Sequence, residues 1–136
     1  MCLTINGNLT KKGLKGRKVH SNGMVKVWKC LFYTREGFLI SPFYSDWGCS
    51  HWKPGWKMSN RQSKKMTLEE KHYQRIYYGI HVYLNRKSAR RAKASAEVVV
   101  PVYVYKKDLI AIGYVDEAVF NQVFFKKEDY NKALKK

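Results

Sequence analysis

Residues 77–105 constrain this chain more than any other stretch. They read Tyr-Tyr-Gly-Ile-His-Val-Tyr-Leu, then Asn-Arg-Lys-Ser-Ala-Arg-Arg-Ala-Lys-Ala-Ser-Ala, then Glu-Val-Val-Val-Pro-Val-Tyr-Val-Tyr. An aromatic and β-branched run, a basic Ala-rich run and a second β-branched run predict strand, helix, strand. In the first run the side chains alternate between faces. Tyr78, Ile80, Val82 and Leu84 then point to a core, and Tyr77, Gly79, His81 and Tyr83 to the other face. His81 and Tyr83 are candidates to face a ligand, with Gly79 permitting close approach to the backbone. A hydrogen-bonded structural histidine is the alternative. Asn85 is a good N-cap for a helix over residues 86–96. Ala89, Ala92 and Ala96 form a small-residue stripe for packing on a sheet. Arg86, Lys87, Arg90, Arg91 and Lys93 populate the rest of the helix, with no acidic residue before Glu97 to pair with them. This patch is the first candidate for phosphate contacts.

The flanking chain supplies more sheet. Around Lys11, Lys12, Gly13, Leu14, Lys15, Gly16, Arg17 and Lys18, glycines and charges argue against a regular element, so residues 1–23 are expected to be a partly mobile basic segment. Residues 23–44 read as a β-hairpin turning at Arg35-Glu36-Gly37, with Pro42 limiting the return strand. Residues 45–66 form the least regular part. Trp47, Trp52 and Trp56 are interleaved there with Lys53, Lys57, Arg61, Lys64 and Lys65. Aromatic planes among cations suit stacking on unpaired bases while the cations meet phosphates. Tryptophans in such a loop also plug the open face of a sheet, and the sequence leaves both roles open. Thr67 and Glu70 fit a capping box for a brief helix. Residues 97–105 are expected to be a near-central strand, bulged or at an edge where Pro101 removes a donor. Residues 109–115 and 118–125 read as two further strands, and the basic tail 126–136 as a final helix. The predicted fold is therefore one α+β domain over residues 1–136. Its sheet is mostly antiparallel or mixed, with about five to six strands, one main basic helix and a Trp-rich loop.

Charge points to the partner. Against 10 Asp+Glu stand 27 Lys+Arg, a net charge of +17, and a chain this basic should seek a polyanion. No apolar run approaches the ~20 residues that span a bilayer, and the N-terminus lacks a signal-peptide pattern, so a cytoplasmic location is the expectation. Cys2, Cys30 and Cys49 form neither a disulfide framework nor a paired zinc motif. A metal site would need Cys49 and His51 joined by Cys30 and His72, so no metal and no cofactor are expected. There is no phosphate-cradling loop ending in Lys-Ser/Thr, no Gly-x-Ser-x-Gly elbow, and no carboxylate pair set for acid/base chemistry.

Met1-Cys2-Leu3, Ser41-Pro42-Phe43, Gly79-Ile80-His81 before the helix, and Val98-Val99-Val100 together resemble small uncharacterised proteins of phages and prophages. That resemblance implies a small α+β domain in a host cytoplasm with a role in phage–host interference, and no site residue. The strand–helix–strand unit also resembles ADP-ribosyltransferase-like domains, where Tyr83 and Glu117 would be the matching positions; the early His or Arg motif that grips the cofactor is missing. The leading expectation is a non-catalytic nucleic-acid-binding accessory protein, contacting DNA or RNA through the helix at 86–93 and the loop at 53–65, with Trp47, Trp52 or Trp56 stacking on bases. The alternatives are an interaction protein that masks an acidic surface of a host enzyme, and the transferase-like reading.

Overall fold

The computed structural model describes residues 3–20, 22–41, 51–59, 75–76, 79–95 and 97–135. Its elements are β1 (Leu3–Thr4), α1 (Gly7–Lys12), β2 (Val25–Tyr33), β3 (Leu39–Ile40), β4 (Gly55–Met58), β5 (Arg75–Ile76) and β6 (Ile80–Tyr83). They continue with α2 (Arg86–Ala92), β7 (Glu97–Val104), β8 (Leu109–Ile112), β9 (Glu117–Phe120), β10 (Gln122–Phe125) and α3 (Lys127–Leu134). Among the described residues the main sheet has eight strands, ordered β4-β10-β7-β2-β6-β9-β8 with β3 beside β2, and every pairing is antiparallel. The chain is α+β, with more strands than the five to six expected. β1 and β5 form a separate two-stranded pair.

The spine is the β2–β7 ladder, which pairs Val25↔Val104 through Phe32↔Glu97 without a register shift. Val25, Val27 and Leu31 point to one face and meet Val100, Val102 and Val104 in the same buried cluster. Pro101 causes no bulge in this ladder. On the other flank β7 meets β10 only at Phe124↔Tyr103, so Pro101 lies beyond that contact, where its missing N–H leaves no gap in a ladder.

The sequence 118–125, expected to be one strand, divides at Asn121. β9 pairs with β6 and β8, whereas β10 pairs with β7 and β4. Those partners lie at opposite sides of the strand order. In a flat sheet β9 and β10 would be separated by about four strand spacings, ~19 Å. One intervening residue allows ~7 Å. The sheet must therefore curl on itself into a small barrel, with the bent β9–β10 strand switching sides at a corner. Asn121 closes that corner: its N–H donates to the Asp108 carbonyl (2.8 Å) and its carbonyl accepts from Ser59 N–H (2.8 Å). Ser59 follows β4 and Asp108 precedes β8, the two terminal strands of the order.

Closure gives the sheet an inner and an outer face. Inside are Val27, Leu31, Ile80, Val82, Leu84, Phe120 and Phe125, with Trp52 and Ala133 in the same cluster. Fully burying such side chains contributes roughly 1.5–3 kcal/mol each. Lys29 also points inward and is 0% exposed, its Nζ donating to the His81 carbonyl at 2.8 Å.

The N-terminal segment is more regular than its glycines and lysines suggested. Asn6 caps α1 by accepting from Leu9 N–H (3.1 Å), and Gly13 ends the helix at φ +61°. The Thr10 hydroxyl donates to the Ile112 carbonyl (3.0 Å) and accepts from Ile112 N–H (2.9 Å), completing the edge of β8. Arg17 donates to the Leu84 carbonyl (3.0 Å), and Leu14 is buried. Leu3 and Ile5 pack with Ile110, Ala111 and Val119 over the outer face at β8 and β9.

The hairpin at 23–44 forms as expected where described, β2 pairing β3 across a turn in which Gly37 adopts φ +89°. The turn between β8 and β9 is strained instead. Val115 and Asp116 hold φ +57° and +60°, a type I′ geometry that favours Asn-Gly. A β-branched residue there costs ~1–2 kcal/mol. Val115→Asn is expected to raise stability by about 1 kcal/mol, measured by urea unfolding; a lower midpoint would contradict this reading of the turn.

Candidate nucleic-acid interface

The outer face is covered in three different ways. The N-terminal segment covers β8 and β9, and α2 packs against β2, β6 and β7. The third part, over β4, β10, β7 and β2, carries aromatic rings and cations. Register builds it: Phe124 pairs with Trp56 on one side and Tyr103 on the other, and Tyr103 pairs with Lys26. Directly paired residues share a face, so Trp56, Phe124, Tyr103 and Lys26 form one row across four strands. At ~4.8 Å per strand the row is about 14 Å long.

Neighbours widen the row. Trp56 stacks on Tyr105, with ring centroids 5.7 Å apart and planes at 22°, and lies 5.3 Å from Phe124. Trp56 is 43% exposed and Met58, two residues along the same face, is 49% exposed. Tyr103 is the buried floor, with Lys126 Nζ 4.2 Å above its ring and His20 edge-on at 5.6 Å. Lys107 Nζ lies 5.6 Å from the Tyr105 ring. One pleat along β2 from Lys26, Trp28 has Lys26 Nζ at 5.0 Å and the Arg86 guanidinium at 5.5 Å. Cations held against ring faces in this way remain hydrated on their outer side and within reach of an arriving phosphate.

The helix expected at 86–96 is shorter. α2 ends at Ala92, because Lys93 is extended and Ala94 N–H is taken by the Glu97 carboxylate at 2.7 Å. Asn85 is its N-cap, accepting from Lys87 N–H at 2.8 Å. Ala89 is fully buried, whereas Ala92 is exposed and Ala96 lies outside the described residues, so the packing face of α2 is Ser88 and Ala89. Arg86 joins the aromatic surface; Lys87, Arg90, Arg91 and Lys93 are exposed along the same helix and just beyond it.

The Trp-rich stretch divides. Trp52 is 1% exposed and packs 5.8 Å from Phe125, so it fills the core and does not stack on bases. Trp56 and Lys57 lie on strand β4 rather than an irregular loop, and pleating turns them to opposite faces. Lys57 is thereby removed from the aromatic row; it pairs with Val123, and burial followed by the charge of Lys53 lowers its pKa. Lys53 is exposed. Trp47, Arg61, Lys64, Lys65 and the capping box at Thr67 lie outside the described residues. Lys26, Trp28, Tyr105, Lys107, Phe124 and Lys126 had no sequence signal as a group, because only strand register assembles them.

His81 and Tyr83 do not face an open site. His81 is 9% exposed, its Nδ1 3.1 Å from the Gly79 carbonyl. Gly79 does permit close approach, but by the protein itself: an added Cβ would sit 3.1 Å from Ile110 Cδ1 and 3.2 Å from Val119 Cβ. Tyr83 pairs with Glu117 across β6 and β9, and the two side chains share a hydrogen bond. Burial, then the nearby Glu117 charge, pushes the Tyr83 hydroxyl up to about 12. A raised folded-state value means that the contribution of Tyr83 to stability is fully present below pH 10 and is lost as pH rises towards 12. Urea midpoints are expected to fall over that window, and Tyr83→Phe to remove part of the fall; an unchanged slope would contradict the assignment. Burial, then Glu97, likewise lifts the Cys30 thiol to about 11, and its Sγ lies 3.5 Å from the Ala89 carbonyl.

Of the four residues that a metal site would have needed, Cys49 and His72 lie outside the described residues, and His51 Nε2 is engaged with the Tyr130 hydroxyl at 2.8 Å. Among the described residues no group of three His, Cys, Asp or Glu is placed to hold a metal ion, and no helix is long and apolar enough to cross a membrane. No family model, curated protein or solved structure matches the chain.

Proposed function

We propose that this protein binds single-stranded nucleic acid across the outer face of β4, β10, β7 and β2, without catalysing a reaction. The observation that carries this reading is the row Trp56–Phe124–Tyr103–Lys26, flanked by Tyr105, Lys107 and Lys126. The rings of Trp56, Tyr105 and Phe124, seated on the buried Tyr103, give unpaired bases a stacking platform, and cations at their edges neutralise the backbone. The net charge of +17 supplies long-range attraction for any polyanion. The exposed indole of Trp56 favours bases over an acidic protein surface, which would need the charge but not the stacked rings. The helix α2 extends the positive surface beside the row through Arg86.

Salt dependence tests this reading. The logarithm of the association constant for a single-stranded oligonucleotide is expected to fall linearly with the logarithm of salt concentration. Lys126→Glu is expected to flatten that slope by at least about 0.7, the contribution of one phosphate contact. A slope near zero in the unaltered protein, measured by fluorescence anisotropy, would remove the proposal.

A further inference from the structure

Beside the aromatic row, β7 and α3 enclose a cleft of about 270 Å³. This is slightly under the ~300–1,000 Å³ of sites for drug-sized ligands, and suits one planar base better than a larger cofactor. Trp28 and Pro101 form apolar wall, Lys26, Arg86 and Lys132 bring cations, and Asp129 brings a carboxylate. Lys26 belongs to both the row and the cleft, so a strand lying along the row can turn one base into it. The reading therefore rests on the proposed nucleic-acid interface.

Asp129 is the informative residue. A carboxylate on a surface meant only for phosphates would weaken binding by repulsion. Here it sits in the first turn of α3, where partial burial raises its pKa above the ordinary carboxylate value, while Lys126, Lys26 and Lys132 lie near enough to oppose that shift. An ionised carboxylate offers two acceptor oxygens side by side. Guanine alone among the standard bases presents two adjacent donors on one edge, N1–H and N2–H. Adenine and cytosine place a ring-nitrogen acceptor beside their amino group, and uracil or thymine flanks its single N–H with carbonyls; each would bring a lone pair against the carboxylate. Guanine also presents O6 and N7 as acceptors for Arg or Lys, which matches the cations of the cleft.

We propose that the cleft between β7 and α3 reads one guanine of a bound single strand, with Asp129 accepting from N1–H and N2–H and Lys26, Arg86 or Lys132 donating to O6 and N7.

The test compares an all-thymidine strand with strands carrying one central guanine, inosine, adenine or cytosine, each titrated by anisotropy into the full chain. One guanine is expected to tighten binding about tenfold, within the 5–150-fold range of a good bidentate pair. Inosine, which lacks the N2 amino group, should lose most of that gain. Asp129→Asn keeps shape but replaces one acceptor with a donor; it should abolish the guanine preference while binding all-thymidine strands at least as well as the unaltered protein. Equal affinity for all five strands, with steep salt dependence retained, would overturn the guanine pocket and leave the interface standing. A preference for adenine or cytosine, or a guanine preference unchanged in Asp129→Asn, would also overturn it. Free guanosine monophosphate competing as well as the guanine-bearing strand would overturn it by making the cleft a mononucleotide site. Failure to bind any strand would remove the interface and the pocket together.

Discussion

Trp52→Ala is expected to lower the unfolding free energy by about 3–5 kcal/mol, the usual cost of emptying the space of a buried large aromatic. Against a total of ~5–15 kcal/mol for a domain, that is a large share. The reason is position. Trp52 is among the largest fully buried side chains, lies 5.8 Å from Phe125, and stands 5.7 Å from the ammonium of Lys29. Its backbone N–H donates to the Leu39 carbonyl at 2.7 Å, holding the residue in place beside β3. Removing the indole leaves a cavity and strips a polarisable ring from beside a buried cation. Urea unfolding followed by circular dichroism measures the loss. A change under 1 kcal/mol would mean that Trp52 does not plug the barrel.

Trp56→Ala should do the reverse: little to stability and much to binding. The ring is 43% exposed and rests on Tyr105 and Phe124, so its removal opens no core cavity. A base stacked on an aromatic ring contributes about 1–3 kcal/mol, so affinity for a single strand is expected to drop roughly 5- to 150-fold. The salt slope should remain, because stacking carries no charge. Trp56→Phe, retaining a smaller ring, should recover part of the loss. Unchanged affinity in Trp56→Ala, with the fold intact, would place the strand elsewhere on the molecule.

These two tryptophans, four residues apart, show where sequence reading stops. Local chemistry was legible. Asn85 signalled the start of α2, the alternation of Ile80, Val82 and Leu84 signalled an inward face, and Arg35-Glu36-Gly37 signalled the β2–β3 turn. Each depends on residues adjacent along the chain. The fates of Trp52 and Trp56 depend on partners about seventy residues away, Phe125 and Phe124, which turn to opposite faces of β10. Nothing in the spacing of the tryptophans encodes that register. The same limit hid the barrel. Residues 118–125 read as one apolar strand, and the chain is indeed nearly continuous there. What changes at Asn121 is the set of strands it pairs with. Lys29 was equally illegible, since a lysine between Trp28 and Cys30 looks like an outward residue until the pleat turns it toward the His81 carbonyl. Net charge raised the expectation of a polyanionic partner, and helix α2 drew attention as its densest cluster. The register instead gathers dispersed cations, Lys26, Lys107 and Lys126, around rings that single segments do not bring together.

The most direct measurement is ultraviolet crosslinking of a single-stranded oligonucleotide to the intact protein, with the attachment sites mapped by mass spectrometry. Crosslinks concentrated at Trp56, Tyr105 and Phe124, and diminished by high salt, are expected if the outer face of β4, β10 and β7 is the interface. Crosslinks that avoid those rings, or none under conditions of low salt, would contradict it.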